Sequence, residues 1–274
     1  MKIGFIGASK VGCSLGKYFK EYNSLCVSGY FSRTANNAKD ASEFTQTTYF
    51  DTISDVVLNS DMIFITVSDS YIKDVWDEMK QLEFNNKIFC HCSGVLSSEV
   101  FDNVEQYNSY GCSVHPMLAI NSKYTSYHDL KNAFFTLEGD KTEVLEELFI
   151  ENNTAVIRAD QKSKYHASAV FASNLVLSVL TMSTDLIEQC GFTAEQATQA
   201  LNPIIENNIH NYLREGIHKA LTGPVARNDV QTVATHIAAL SGDELEVYRI
   251  LTKKLMLIPK HDFTNMKKEL EDKT

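Results

Sequence analysis

Three residues near the start of the sequence, Gly7, Ser9 and Gly12, have the spacing of a turn that binds a pyrophosphate. Backbone N–H groups and the N-terminus of the following helix hold the phosphates in such a turn. Gly7 permits the tight turn, and Gly12 lets the helix pack closely on the preceding strand. Ser9 replaces the usual middle glycine, so we expect the phosphates to lie slightly further out and the Ser9 hydroxyl to donate a hydrogen bond to one of them. The segment predicted to bind a dinucleotide is Gly7, Ala8, Ser9, Lys10, Val11 and Gly12.

The residues after the second predicted strand indicate which dinucleotide is bound. This position usually holds an acid, which accepts hydrogen bonds from both ribose hydroxyls and repels a 2′-phosphate. Here it holds Ser32, Arg33 and Thr34, and the arginine can make a charge-assisted, bidentate contact to phosphate. The alternative is that Arg33 is a solvated loop residue. We therefore predict NADP rather than NAD as the cofactor.

A second group of residues could transfer a proton. Reduction of a C=O or C=N bond needs hydride from the cofactor and a group that supplies the proton. His166, Lys164 and His115 are the candidate donors, and Asn174 and Ser93 are candidate orienting groups. Each donor also has a structural interpretation: His166 as a hydrogen-bonded histidine at a domain interface, Lys164 as a solvated residue near a helix N-terminus, and His115 as a loop residue before a proline.

Two more residues are predicted to contact the substrate. Ser173 is seven positions after His166, so on one continuous helix the two side chains share a face. Arg227 lies in a loop with a Gly-Pro turn and could clamp a carboxylate or phosphate. The alternative is that Arg227 pairs with an acid while Thr222 or Asp229 caps a helix.

The strand and helix patterns position these residues at one edge of a sheet. Apolar runs alternate with amphipathic segments over residues 2–157, which predicts an α/β, Rossmann-like, doubly wound and mostly parallel sheet with helices on both faces. Ligands bind beyond the carboxyl ends of the strands in such sheets. Val67, Ser68 and Asp69 follow one strand and are predicted to contact the cofactor. Ser93 and His115 follow the next two and are expected nearest the nicotinamide.

From residue 160 onward the sequence shows no convincing strand. We predict a Rossmann-like NADP-binding domain over residues 1–158 and an all-helical domain over residues 159–274 for substrate binding and dimerisation. The first helix is predicted over residues 162–190. Its most apolar part, residues 167–182, is interrupted by serines and an asparagine, so we interpret it as a buried helix and not as a membrane span.

Composition narrows the class of partner and the compartment. The formal net charge of −10, with no basic stripe, argues against nucleic acid and anionic membranes and leaves a small-molecule substrate. The sequence lacks the pattern of a signal peptide, and its six scattered cysteines indicate reduced thiols, so we expect a cytoplasmic protein. Cys90, His91 and Cys92 cannot converge on one ion from a strand, because neighbouring side chains point to opposite faces. We therefore predict no metal site.

Several of these segments resemble a family whose members have a Rossmann-like domain followed by a helical domain of unknown function. Such proteins are usually described as candidate NADP oxidoreductases. The matching segments are Ile6-Gly-Ala-Ser-Lys-Val-Gly12 and residues 32–34, 91–94, 115–117, 165–174 and 221–227.

The architecture is also similar to that of pyrroline-5-carboxylate reductases, ketopantoate reductases and β-hydroxyacid dehydrogenases. In these enzymes the second domain is helical and often dimerises, so the resemblance implies a homodimer formed through the helical domain. The last two families carry a helix lysine followed one turn later by asparagine. Here Lys164 is followed at that position by Ser168, so their lysine mechanism is not carried over.

Together these observations predict an NADP-dependent oxidoreductase that acts on a small polar metabolite by hydride transfer in the cleft between two domains. The alternative is an NADP-binding sensor or scaffold that performs no chemistry. Ser9 and the missing lysine–asparagine pair favour this alternative.

Overall fold

Eight strands form one sheet, and its central strands are short, buried apolar runs, in a computed structural model that describes residues 1–23 and 25–271. Continuous apolar runs are typical of strands that are buried on both faces. In chain order the strands are β1 Lys2–Ile6, β2 Cys26–Phe31, β3 Thr48–Tyr49, β4 Met62–Ile65, β5 Ile88–His91, β6 Tyr110–Pro116, β7 Phe134–Gly139 and β8 Asn153–Val156.

The strand order across the sheet is β3-β2-β1-β4-β5-β6-β7-β8. Every neighbouring pair is parallel except β6 and β7, which run antiparallel. The order reverses between β1 and β4, which is the switch point where open α/β sheets bind ligands. The predicted α/β, doubly wound and mostly parallel sheet is therefore confirmed. The sequence indicates neither the two-residue β3 nor the direction of β7, because an apolar run carries no signal of strand direction.

Helices cover both faces of the sheet. Alternate side chains of β4 show the division: Met62 and Phe64 pack in one apolar cluster, and Ile63 and Ile65 pack in the other. The first cluster includes residues of α1, α2, α5 and α6, and the second includes residues of α3 and α4. These helices are α1 Lys10–Glu21, α2 Ala35–Thr45, α3 Ile53–Leu58, α4 Asp69–Met79, α5 Tyr127–Leu130 and α6 Thr142–Leu148.

The helix predicted over residues 162–190 is interrupted at Ser173. The structure has α7 Lys162–Ala172 followed by α8 Asn174–Gln189, with Ser173 at φ −127° and ψ −88°. The Ser173 hydroxyl donates to the carbonyl of Ala169 at 2.7 Å, a local bond that bends helices. The prediction of one continuous helix is wrong at this residue, where α7 ends; that Ser173 shares a face with His166 stays a prediction.

The chain divides into two compact units, Met1–Asn174 and Leu175–Thr274. The domains predicted from sequence were 1–158 and 159–274, whereas this division places α7 with the sheet. In its described part the second unit is helical, and the predicted helical C-terminal region is confirmed. Its core contains Val225, Val233, Met256, Phe263, Met266 and Leu270. Its further helices are α9 Ala194–Glu215, α10 Ile217–Ala220, α11 Gly223–Ala226, α12 Val230–Ala239, α13 Gly242–Leu255 and α14 Thr264–Glu269.

The apolar segment predicted to be a buried helix has exposed side chains in the structure. Phe171 and Leu177 are 68% and 62% exposed. By length and composition alone the stretch Ala159–Gln189, with a mean hydropathy of 1.6, could cross a membrane, a criterion that core helices of soluble proteins also meet. The prediction that residues 167–182 are buried is therefore wrong for the single chain, because the pattern cannot distinguish a core from a surface that a partner covers.

Candidate active site

A cavity of about 630 Å³ lies at the carboxyl ends of β1, β2 and β4. It is at the switch point of the sheet, and it is lined by most of the residues predicted to bind the dinucleotide. The predicted residues that line it are Gly7, Ala8, Ser9, Ser32, Arg33, Thr34, Val67 and Ser68. The cavity is also lined by residues that the sequence patterns do not indicate, among them Asn37, Thr66, Tyr71, Asp74, Glu78 and Lys123.

The glycine turn is tied to both neighbouring strands. Gly7 has φ +102°, and its N–H donates to the carbonyl of Phe31 at 2.8 Å. The hydroxyl of Thr66 donates to the Gly7 carbonyl at 2.7 Å. A Cβ added at Gly7 would lie 2.8 Å from the Thr66 carbonyl oxygen, and one added at Gly12 would lie 2.8 Å from the Gly7 oxygen. Both positions therefore require glycine, and Thr66 holds the turn in place.

Ser9 caps the helix that follows the turn. Its Oγ accepts a hydrogen bond from the Gly12 N–H at 3.2 Å, which leaves the hydroxyl hydrogen available to a ligand. Lys10, Val11 and Gly12 form the first turn of α1 and do not line the cavity wall. The first backbone bond of α1 runs from the Cys13 N–H to the Ser9 carbonyl, so the N–H groups of Lys10 and Val11 are donors of the kind that bind anions at a helix N-terminus.

Arg33 is held against an aromatic ring. Its guanidinium carbon lies 4.4 Å from the ring centroid of Tyr71 on α4. A guanidinium that stacks on a ring keeps its N–H edge free for hydrogen bonds. Thr34 and Asn37 line the cavity beside it. The geometry therefore presents a pre-oriented cation and short polar side chains at the position that distinguishes NADP from NAD.

A second cluster lies where β5 and β6 end, and it brings together two of the predicted proton donors. The Nδ1 atom of His115 is 2.7 Å from the hydroxyl of Tyr165 on α7. The rings of His115 and His166 are nearly perpendicular, with centroids 6.1 Å apart. Both rings face Gly94, since a Cβ built there would lie 2.9 Å from His115 Nε2 and would clash with His166. The cluster is therefore open only because residue 94 has no side chain.

Ser93 bonds to Asp69, a residue that was predicted to bind the cofactor but does not line the cavity. Its hydroxyl donates to Asp69 Oδ2 at 2.6 Å, and its oxygen accepts from the N–H groups of Val95 and Leu96. These three bonds occupy the one donor and both acceptor positions of the hydroxyl. Ser93 and Asp69 therefore shape the loop after β5. His91 supports the same loop, because its Nδ1 accepts from Ser93 N and its Nε2 donates to Ser97 O.

A buried lysine that the sequence patterns do not indicate lies behind the cluster. Lys162 is 1% exposed, and its Nζ donates to the Ser93 carbonyl at 2.8 Å and to Ser113 Oγ at 2.6 Å. Burial lowers the pKa of Lys162 to about 8, and the nearby Glu138, Cys92 and Asp69 oppose that shift. Lys162 thus joins the first turn of α7 to the ends of β5 and β6.

The remaining predicted residues have exposed side chains. Lys164 is exposed and about 200° around α7 from Lys162. Asn174 is exposed and bonded to the Ser173 hydroxyl. Arg227 is exposed in the second unit, where Asp229 caps α12 by accepting from the Thr232 N–H at 3.0 Å.

The buried histidines give the protein a testable pH dependence. Burial is the main cause that lowers the pKa of His91 and of His115 from 6.5 to about 4. Because the folded pKa is depressed, the stabilisation is complete above pH 6.5 and is lost as the pH falls towards 4. Between pH 7 and 5 we expect each histidine to remove about 2 kcal/mol of unfolding free energy, measured by urea denaturation. His115→Gln should remove about half of the pH dependence that the two histidines contribute to the unfolding free energy. An unchanged pH dependence would contradict the assignment.

Comparisons with known proteins support the fold that this geometry indicates. Residues 133–255 match the Domain of unknown function DUF2520. The DUF2520 match begins next to β7 and ends with α13, so it includes Lys162, Tyr165 and His166 but not the glycine turn. A sequence comparison with curated proteins gives no significant match.

Solved structures share the fold over almost the whole chain at low sequence identity. Protein TM1727 from Thermotoga maritima has 22% identity and a TM-score of 0.75, covering 93% of this chain and 97% of its own. A reductive aminase from Aspergillus terreus, in complex with NADPH and ethyl-5-oxohexanoate, has 13% identity and a TM-score of 0.67, covering 98% and 99%. A pyrroline-5-carboxylate reductase from Coxiella burnetii has 16% identity and a TM-score of 0.61, covering 98% of each chain. The DUF2520-matching chain therefore has the fold of NAD(P)-dependent reductases.

Proposed function

We propose that the protein is an NADP-dependent oxidoreductase that reduces or oxidises a C=O or C=N bond of a small polar metabolite. The observation that carries the proposal is the cluster of His115, Tyr165 and His166 around Gly94. The cluster follows β5 and β6, at the same edge of the sheet as the cavity with Arg33. A dinucleotide bound at the glycine turn would supply hydride, and the histidines would handle the proton.

The residues of the cavity fit NADP. Gly7 and Gly12 leave no Cβ where the chain must approach a pyrophosphate, and the first N–H groups of α1 are free to bind it. Arg33 offers a stacked guanidinium for the 2′-phosphate, and no acidic residue stands at positions 32–34 to repel that group. Asp69, which directly follows the cavity-lining Ser68, accepts a hydrogen bond from the Ser93 hydroxyl.

We propose a different role for each of the three aromatic side chains in the cluster. His115 is neutral at pH 7, because burial holds its pKa near 4. We assign the hydroxyl of Tyr165 as the donor to His115 Nδ1, which leaves an Nε2–H directed towards Gly94 to hydrogen-bond the substrate. His166, on the other side of Gly94, is the residue that we propose transfers the proton.

Turnover of NADPH tests the function directly. The absorbance of NADPH would be followed with a panel of keto acids, aldehydes and imines, together with titrations of NADP(H) binding. We expect loss of NADPH absorbance with at least one class of carbonyl or imine compound. Binding of NADPH without turnover across the panel would instead support a sensor or scaffold.

Two observations favour that alternative function. Lys164, one of the predicted proton donors, is exposed and on the opposite side of α7 from Lys162. The hydroxyl of Ser93 is engaged in three hydrogen bonds and is not free to bind a substrate. A protein that binds NADP without chemistry would need the cavity alone.

We further propose that two copies associate through the exposed apolar helices of the second unit. On α8 and α9 the exposed large apolar residues are Leu175, Val176, Leu177, Val179, Ile204, Ile209, Tyr212 and Leu213. Exposed apolar side chains in such number, when they form one patch, mark an interface in soluble proteins. The dimer expected from the family resemblance supports a second copy as the occupant.

Light scattering coupled to size exclusion tests this interface. We expect a dimer for the unchanged protein and a monomer for Leu177→Glu, because a carboxylate on the apolar surface cannot be buried without a partner. Leu58→Glu is the matched control, since Leu58 is 79% exposed on α3 in the other unit. A dimer that survives Leu177→Glu, or an unchanged protein that is monomeric at micromolar concentration, would contradict the proposal.

A further inference from the structure

The connection between β6 and β7 carries a cation to the nucleotide cavity. Because β6 and β7 are antiparallel, β6 ends and β7 begins at the same edge of the sheet. Residues 117–126, which we call the β6–β7 connection, therefore stay at the edge where the cavity lies. Lys123 is partly buried in this connection and lines the cavity with Ser9, Thr34 and Asn37.

Contacts on both sides of Lys123 fix the connection against two helices. Ser14 of α1 donates from its hydroxyl to the Ser122 carbonyl at 3.3 Å. The ring of Tyr124 packs edge-on against Phe44 of α2, with centroids 5.0 Å apart. These contacts hold the residues that flank Lys123 against the first half of α1 and the last turn of α2. The charge of Lys123 also acts there, since it partly offsets the effect of burial on the pKa of Cys13.

The ammonium of Lys123 has no acidic partner in the part of the chain that the structure describes. The ion pairs found within residues 1–23 and 25–271 do not include it. The charged residues that line the cavity are Arg33, Lys123, Asp74 and Glu78. The two acids are one turn apart on α4, whereas Lys123 reaches the cavity from the β6–β7 connection.

We propose that Lys123 is a second ligand of the cofactor's 2′-phosphate, in addition to Arg33. The 2′-phosphate is a dianion near neutral pH, and Arg33 supplies only one positive charge. Arg33 contributes a planar guanidinium held by Tyr71, and Lys123 contributes a flexible point charge from a different part of the chain. In a protein of net charge −10, a second cation that lines the same cavity makes it more attractive to the phosphate. The inference rests on the proposed function, that the cavity binds NADP.

Titration of four nucleotides with the full chain tests the inference. For Lys123→Met we expect the dissociation constants of NADP⁺ and 2′,5′-ADP to rise about tenfold, as for loss of one charge-assisted hydrogen bond. NAD⁺ and 5′-AMP, which lack the 2′-phosphate, should bind within about twofold of the unchanged protein. Lys123→Arg should restore most of the loss. Lys131→Met is the matched control, because Lys131 is exposed at the end of α5 and does not line the cavity.

The outcomes separate the inference from the function on which it rests. If the unchanged protein prefers NADP⁺ but Lys123→Met binds it equally well, only the role of Lys123 is overturned. Equal losses for NAD⁺ and NADP⁺ would overturn it too, since they would place the lysine on the pyrophosphate. If the unchanged protein binds neither dinucleotide, the proposed function fails and the inference fails with it.

Discussion

Replacing Arg33 by alanine will weaken binding of NADP(H) by about 100-fold and leave NAD(H) within about threefold. The loss follows from the chemistry of the contact, because a guanidinium can make two charge-assisted hydrogen bonds to one phosphate. The ring of Tyr71 already orients Arg33, so the side chain loses little conformational entropy when it binds the phosphate. Isothermal titration or thermal shift with both dinucleotides measures the dissociation constants of NADP(H) and NAD(H).

A lysine on the neighbouring helix provides the control for Arg33. Lys39 lies on α2 with its Nζ 5.2 Å from the ring centroid of Tyr49, so it is also a cation stacked on an aromatic ring. It does not line the cavity. Lys39→Ala should leave the preference for NADP(H) unchanged. A larger thermal shift with NAD(H) than with NADP(H) in the unchanged protein would refute the role assigned to Arg33.

Replacing His166 by alanine will lower turnover by about 10²- to 10⁴-fold, the usual contribution of a positioned acid or base. NADPH binding should stay within about twofold, because His166 does not line the nucleotide cavity. The measurement is kcat with the substrate class found by the NADPH assay, together with NADPH affinity for the same variant.

Two further variants separate the donor from its neighbours. Lys164→Ala should retain full turnover, because that side chain is exposed on the far side of α7 from Lys162. His128→Ala removes a surface histidine bonded to Tyr22 and should also be silent. Undiminished turnover in His166→Ala would exclude it as the proton donor, and loss of turnover in Lys164→Ala would assign that role to the lysine.

The parts of the site that could be predicted are those with a local signature. Gly7 and Gly12 have the spacing of a phosphate-binding turn, and both meet the close contacts that such a turn requires. Arg33 follows β2 directly, so its place at the carboxyl edge follows from the strand alone. His115 and Ser93 follow from the same rule, because parallel strands end at one edge.

The parts that could not be predicted depend on contacts between distant segments. Thr66, Tyr71 and Lys123 meet the glycine turn and Arg33 only after the sheet has formed, and no spacing in the sequence relates them. Lys162 was missed for a different reason. A shift of two residues along a helix turns a side chain by about 200°, so the helix pattern alone does not decide between Lys162 and Lys164.

The break at Ser173 has a consequence for how such a protein can change over evolution. Because α7 belongs to the unit Met1–Asn174, the cavity and every side chain proposed to move a proton are encoded in one contiguous stretch. We therefore expect the segment from Leu175 onward to tolerate divergence, or exchange for that of a relative, without loss of nucleotide binding. A chimera joined at this serine would be a natural starting point for engineering new substrate preferences.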